Sequence, residues 1–310
     1  MKTIHVAVAV IENPDNFLLI ARRPAHLHMG GLWEFPGGKV EAGETVLHAL
    51  QREIREEIAL EIHAAQPMLQ IPFQYPDKRV LLDVWRVTQF SGEARGCEGQ
   101  EVCWVSRSEL VSYPFPAANR AILAALQLPE RLLVTGDFSD TADCLQRTKD
   151  AIEHHGLHAV MLRAPHLAPV AYAQLAADMF QLCQRLGVSL YLNADANSNR
   201  ETADGLHLTA SRLLACRERP VNEKKLFGAS CHNVEEIRHA IAVGVDYITL
   251  SPVLPTSSHP DALSLGWDGL AELLAICSMP VFALGGVDDR HLAQAKLAGA
   301  FGIAGISAWW

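Results

Sequence analysis

Three glutamates, Glu53, Glu56 and Glu57, stand three and four residues apart in the stretch Gly38 to Leu60, GKVEAGETVLHALQREIREEIAL. At roughly 100° per residue they fall on one face of a helix. Leu47, Leu50, Ile54 and Ile58 gather on the adjacent face, so the same helix has a side for a core. Carboxylates crowded in this way repel one another. Arg52 and Arg55 offer one remedy, a solvated face laced by ion pairs. A hard divalent cation offers another, since Mg²⁺ prefers oxygen ligands and bound phosphates. The turn Pro36-Gly37-Gly38 directly upstream favours the second, because glycines let a backbone approach phosphate or metal closely.

A chain of 310 residues suggests two domains, each able to bury its own core. The formal net charge of −9 argues against a duplex nucleic-acid binder, which needs a basic face. It leaves room for one nucleotide held by local basic groups. Seven cysteines, an odd number and without a C-x-x-C, read as reduced small apolar residues, and the expected location is cytoplasmic. No apolar run approaches membrane-spanning length, and the first residues read as a strand rather than a signal peptide.

In chain order, residues 4–11 alternate and are valine-rich, 13–16 form a turn, and 17–22 return as the second strand of a hairpin, ending at Arg22 and Arg23. A glycine-rich loop leads to the acidic helix, expected from an N-cap at Thr45 to Ile58. Further strands are expected near 69–75, 79–88 and 101–105, with a second helix over 116–128. Helices around a mixed sheet make an α/β/α sandwich.

The acidic stretch resembles the Nudix box, G-x5-E-x7-R-E-U-x-E-E-x-G-U with U aliphatic. Gly38, Glu44, Arg52, Glu53, Ile54, Glu56, Glu57 and Leu60 match it. Ala59 stands where the family has glycine, and a left-handed helix end costs alanine about 1 kcal/mol or more, so the helix exit is expected to differ. The segments ARRPAHLHMGGLWEFPGGKVE, YPDKRVLLDVW, CEGQEVCWV and PFPAANRAI narrow the resemblance to the MutT branch, over nearly all of residues 1–128. That resemblance implies hydrolysis of oxidised purine nucleoside triphosphates, with 8-oxo-dGTP giving 8-oxo-dGMP and pyrophosphate. The cofactor it implies is Mg²⁺, with Mn²⁺ as an alternative. Carried over residue by residue, the Gly37 carbonyl and the Glu53, Glu56, Glu57 and Glu98 carboxylates are the metal ligands. Glu44, Glu53 and Glu98 stay open as general base. Arg23, His28 and the backbone of Glu34, Phe35, Pro36 and Gly37 line the nucleotide site, and Asn119 reads the purine edge. An amide suits that task because it both donates and accepts. Lys78 replaces the family's arginine, keeping the charge but losing the planar fork.

After Leu128-Pro129-Glu130-Arg131 the rhythm changes. Short apolar runs recur at 132–135, 159–163, 189–193, 205–208, 226–230, 247–251, 281–284 and 302–306, with amphipathic helical stretches between most of them. Eight strands alternating with helices predict a compact (β/α)8 barrel over residues 131–310. Its last helix is expected to be missing, with Trp309 and Trp310 covering the gap or meeting the first domain or a second subunit of a homo-oligomer.

This half resembles the thiamine phosphate synthase and TenI family through LFGASCHNVEEI, DYITLSPVLPTSSHP, PVFALGGV and GIAGISA. Loops after strands seven and eight of such barrels bind phosphate, which makes Gly285, Gly286, Ile306 and Ser307 candidate phosphate contacts. His232 stands where TenI-type thiazole tautomerases use a histidine. The synthase pattern is broken elsewhere: Ala194 and Arg212 replace two metal-binding aspartates, and Pro165 and His259 replace two lysines. The leading expectation is therefore a nucleotide-pool sanitising hydrolase with a non-synthase barrel. The alternatives are a Nudix hydrolase acting on damaged thiamine-type diphosphates, or a barrel serving as a phosphate-ligand regulatory module or a tautomerase.

Overall fold

The computed structural model describes residues 3–25, 29–193, 203–256 and 263–310. The chain divides into two compact units, Met1–Leu126 and Gln127–Trp310.

In the first unit β1 (Thr3–Ile11) and β2 (Phe17–Arg22) are followed by the short β3 (Trp33–Glu34) and β4 (Gly37–Lys39), then α1 (Val46–Ile58). β5 (Leu60–Gln74), β6 (Arg79–Gly92) and β7 (Val102–Ser106) precede α2 (Arg120–Ala125). A four-stranded mixed sheet has the order β4-β1-β6-β5, and a three-stranded sheet the order β3-β2-β7. The expected hairpin does not form a ladder: β1 and β2 meet at the bridge between Glu12 and Leu18 and then lie in different sheets. α1 packs on β1, β4 and β5, burying Ala49, Leu50, Ile54 and Ile58 against Ala7, Ala9 and Ile11.

Thr45 caps α1 as its position in the sequence suggests, accepting the His48 N–H at 3.2 Å. The helix exit does not differ from a glycine exit. Ala59 adopts φ 61°, ψ 27°, and its N–H bonds the carbonyls of Ile54 and Arg55. That left-handed residue turns the chain straight into β5, which starts at Leu60 rather than near 69. The expected strand already runs through Pro72; its extension back through Pro67 to Leu60 is not foreseen from the sequence. β5 is an edge strand with register shifts around Ile62 to Leu69, and such a strand tolerates proline. The helix expected over 116–128 is shorter. A 3₁₀ turn, Ala117–Asn119, opens on Pro116, and the α-helical part stops at Ala125.

The second unit is a closed parallel barrel of eight strands. They are β8 (Arg131–Val134), β9 (Ala159–Leu162), β10 (Ser189–Asn193), β11 (Gly205–Leu208), β12 (Leu226–Cys231), β13 (Tyr247–Leu250), β14 (Val281–Leu284) and β15 (Gly302–Gly305). Each lies within a residue of its expected bounds. The helices are α3 (Thr141–His155), α4 (Pro169–Leu186), α5 (Ala210–Ala215), α6 (Val234–Ala242), α7 (Gly266–Leu274) and α8 (Leu292–Leu297).

Large rings fill the barrel: Tyr191 and Tyr247 lie 5.7 Å apart, and Phe282 meets Tyr247 edge-on at 5.8 Å. Glycines on neighbouring strands make the room. A Cβ at Gly228 would fall 2.2 Å from the Tyr247 ring, and one at Gly205 2.8 Å from that of Tyr191. No helix follows β15 in residues 306–310. Trp309 is buried in the barrel's own core and donates to Asp289 at 3.0 Å. Trp310 donates to the Asp137 carbonyl at 2.9 Å, with the Arg147 guanidinium 4.7 Å over its ring.

Candidate active site

The first unit brings its predicted acidic residues together at the C-terminal half of α1. Arg52 organises one side of the cluster. Its Nε and Nη2 fork the Glu44 carboxylate at 3.0 and 2.9 Å, and its Nη1 reaches Glu53 at 2.8 Å and Glu56 at 3.6 Å. Nη2 also donates to the Lys39 carbonyl at 3.1 Å, which ties the helix to the end of β4. The Arg52 hydrogen bonds hold the Glu44 carboxyl below the usual carboxylate range. A Cβ at Gly38 would lie 2.1 Å from the Glu53 carboxylate carbon, so the glycine turn gives that side chain its place. Gly37 is equally constrained, since a Cβ there would fall 2.1 Å from the Ala7 carbonyl oxygen.

Glu57 lies deeper. Burial pushes its carboxyl up to about 8, and the negative charges of Glu53, Glu98 and Glu34 add to the shift. Glu98 reaches this neighbourhood because its turn is fastened to the end of α1: the Glu57 carbonyl accepts the Cys97 N–H at 2.8 Å and Gln100 Nε2 at 2.9 Å. Among the described residues, no group of three or more carboxylate, imidazole or thiol side chains is placed to hold a metal ion as it stands. The donor set still fits a hard cation. It is all oxygen and mutually repulsive, and burial together with neighbouring carboxylates disfavours the charged form of Glu57, a cost that a bound cation would offset.

The nucleotide-side residues fall in two groups. Arg23 pairs with Glu34, whose carboxyl is raised by burial against the pull of that guanidinium. Phe35 is buried and stacks on Phe115 at 5.6 Å, so its side chain serves the core and its backbone is what remains for a ligand. The Pro36 carbonyl accepts the Ala9 N–H at 2.8 Å. His28 lies outside the described residues. Asn119 is 8 % exposed, and its Oδ1 is buried with no hydrogen-bond partner among the described residues. A buried acceptor without a donor is costly unless a ligand supplies one.

Two residues here escaped sequence reading. Tyr75 is buried and hydrogen-bonds the backbone of Ala118, beside Asn119, and it senses the charges of Arg23 and Glu34. Lys78 lies over its ring at 5.6 Å, a cation–π contact made by the substituted lysine. Gln100 is the other. Its partner is a main-chain carbonyl distant in sequence, for which no local pattern exists.

The barrel has a separate cavity of about 780 Å³ at the C-terminal ends of its strands. Gly285, Gly286, Ile306, Ser307 and His232 all line it. Gly285 and Gly286 have φ of 92° and 69° and pack on Pro252 and Pro255, leaving no space for side chains. His232 Nδ1 donates to the Ser251 carbonyl at 2.7 Å, which leaves Nε2 as the acceptor of the neutral ring. Thr249 Oγ1 is buried at the cavity without a hydrogen-bond partner among the described residues. Asp137 is the sole carboxylate among the described lining residues. Ala194 and His259 lie outside the described residues.

Family comparisons agree with both halves. A NUDIX domain model matches residues 7–125, and a model described as thiamine monophosphate synthase matches residues 132–309. The chain belongs to the Nudix family and, through its barrel, to the thiamine monophosphate synthase family. The 8-oxo-dGTP diphosphatase of Escherichia coli is 38% identical over 127 residues, 41% of this chain and 98% of that protein. The CTP pyrophosphohydrolase of the same organism is 38% identical over 125 residues, 40% of this chain and 92% of that protein. A putative thiamine-phosphate synthase 2 of Aquifex aeolicus is 32% identical over 183 residues, 59% of this chain and 98% of that protein. Among the described residues, no helix is long and apolar enough to cross a membrane.

Proposed function

We propose that the Nudix half, taken as residues 1–128, is a divalent-metal-dependent pyrophosphohydrolase of oxidised purine nucleoside triphosphates, yielding 8-oxo-dGMP and pyrophosphate from 8-oxo-dGTP. The observation that carries the reading is the buried Oδ1 of Asn119, without a hydrogen-bond partner among the described residues, beside Tyr75 in the same unit as the acidic cluster. A purine changed at its imidazole edge gains an N–H donor, which that oxygen accepts, while the Asn119 amide N–H₂ donates to a ring carbonyl. The relative named for CTP makes a pyrimidine triphosphate the competing substrate.

In this reading Glu53, Glu56, Glu57, Glu98 and the Gly37 carbonyl hold Mg²⁺, which when bound withdraws charge from the phosphate oxygens. The chain's own residues do the rest. Arg52 spends its fork on Glu44, so we assign Glu44 to holding Arg52, and through it Glu53, in place. Glu53 or Glu98 takes the proton from the attacking water, and Arg23 faces the triphosphate. Positioning and electrostatics lower the barrier, and no covalent intermediate is required. Glu53→Gln keeps the shape and removes a carboxylate. It is expected to cut pyrophosphate release by about a hundredfold or more, and near-wild-type turnover would refute the assignment.

For residues 131–310 we propose a binding site for a small phosphorylated heterocycle. Thr249 Oγ1 at the cavity wall and His232, whose Nδ1 is held by the Ser251 carbonyl so that Nε2 is the acceptor, favour it. Thermal stabilisation of the chain by thiazole phosphate, lost in His232→Ala, would support a tautomerase. Stabilisation that also changes nucleotide turnover would support a regulatory module.

A further inference from the structure

An α-helix ends with carbonyls that have no partner within the helix. In α1 the last two, those of Glu57 and Ile58, are covered by one turn, residues 95–100. Arg95 N–H bonds the Ile58 carbonyl at 3.0 Å, and the Glu57 carbonyl receives both Cys97 N–H at 2.8 Å and Gln100 Nε2 at 2.9 Å. The same Gln100 side chain turns its Oε1 to the N–H of Glu98 at 2.8 Å. One amide therefore grips the main chain of two carboxylate residues at once. Only a side chain that donates and accepts can do this. The turn is closed tightly around it: a Cβ at Gly96 would fall 1.9 Å from the Gln100 carbonyl oxygen. Glu98 itself is exposed, so its carboxylate stays close to Glu57 through the backbone rather than through packing.

We propose that Gln100 is a positioning residue for the acidic site, a clamp that sets Glu98 against Glu57 before any cation or substrate arrives. The proposal rests on the hydrolase reading above. Partners that orient ligating groups are commonly worth about tenfold to a hundredfold in metal affinity.

The test uses the full-length protein and Mn²⁺ as probe, with free ion followed by electron paramagnetic resonance and no nucleotide present. Gln100→Leu removes both bonds. Gln100→Asn keeps the amide but is one methylene short of spanning the two backbones. Both are expected to weaken Mn²⁺ binding by about tenfold or more. The Mg²⁺ concentration for half-maximal turnover should rise by a similar factor, with KM at saturating Mg²⁺ almost unchanged. Gln51→Leu is the control. It removes a comparable amide-to-carbonyl bond from the same helix, Gln51 Nε2 to the Ile62 carbonyl at 3.1 Å, away from the cluster. It should leave Mn²⁺ affinity as it is. Unchanged Mn²⁺ affinity in both folded Gln100 variants, or an equal loss in Gln51→Leu, overturns the clamp while leaving the hydrolase reading intact. A wild-type protein that binds no Mn²⁺ overturns both.

Discussion

Replacing Ala59 by glycine should stabilise the first unit, against the usual penalty for placing glycine next to a helix. Ala59 holds φ 61°, ψ 27° at the exit of α1. An L-residue with a Cβ pays roughly 1–2 kcal/mol in that region. Glycine pays nothing there but loses more freedom on folding, about 0.4–1 kcal/mol. The balance is a gain of about 0.5–1 kcal/mol in Ala59→Gly. No contact is lost that the structure values: the capping bonds to Ile54 and Arg55 come from the backbone. Gly92 packs against the Ala59 carbonyl, not its Cβ. Hydrogen exchange read by mass spectrometry over α1 and the start of β5 is the direct assay, because it reports this unit without the barrel. The gain corresponds to about two- to fivefold slower exchange. Exchange that is unchanged or faster would refute the strain argument, and would mean that the left-handed exit is relaxed in solution.

Two further outcomes follow from buried polar groups. Asn119→Ala removes an amide oxygen that has no partner among the described residues, so the folded protein should lose no stability, whereas kcat/KM for 8-oxo-dGTP should fall by about tenfold to a hundredfold, the worth of roughly 1–3 kcal/mol for a lost buried contact. Thermal melting and steady-state kinetics on one preparation check both halves of that statement. His207 is fully enclosed in the barrel between Ser230 and Tyr247, and burial pushes its imidazole down to about 3. The unfolded chain takes up that proton near pH 6.5 and the folded chain does not. Its contribution therefore favours folding above pH 6.5 and turns increasingly against it as pH falls toward 3. Urea unfolding of wild type and His207→Gln at pH 7 and pH 4.5 should show wild type losing more stability on acidification. Equal losses would contradict it.

Much of this molecule is legible in its sequence because its strongest signals are periodic. The α1 pattern places Glu53, Glu56 and Glu57 on one side and Leu50, Ile54 and Ile58 on the other, and Thr45 caps it. The barrel strands are short apolar runs with one pairing rule, so their order follows from chain order. The signal fails where two effects compete. A strand is expected across Pro72 but not across Pro67, yet β5 runs through both because its edge position demands fewer ladder bonds. Ala59 argues against a left-handed exit, yet backbone capping bonds hold it there. Phe35 is read from the sequence as a backbone contact only, and its buried ring, stacked on Phe115, is consistent with that. Tyr75 and Gln100 were invisible for another reason. Their significance lies in main-chain partners, Ala118 and Glu57, that only the folded chain brings near.

The central claim is a nucleotide claim, and the most direct test is pyrophosphate release by the full-length protein in Mg²⁺, at low and equal concentrations of 8-oxo-dGTP, dGTP, CTP and thiamine diphosphate, with inorganic phosphate read in parallel. Fastest turnover of 8-oxo-dGTP, with pyrophosphate as the product, is the predicted result. Negligible nucleotide turnover, a preference for CTP, or phosphate released from thiamine diphosphate instead would contradict it.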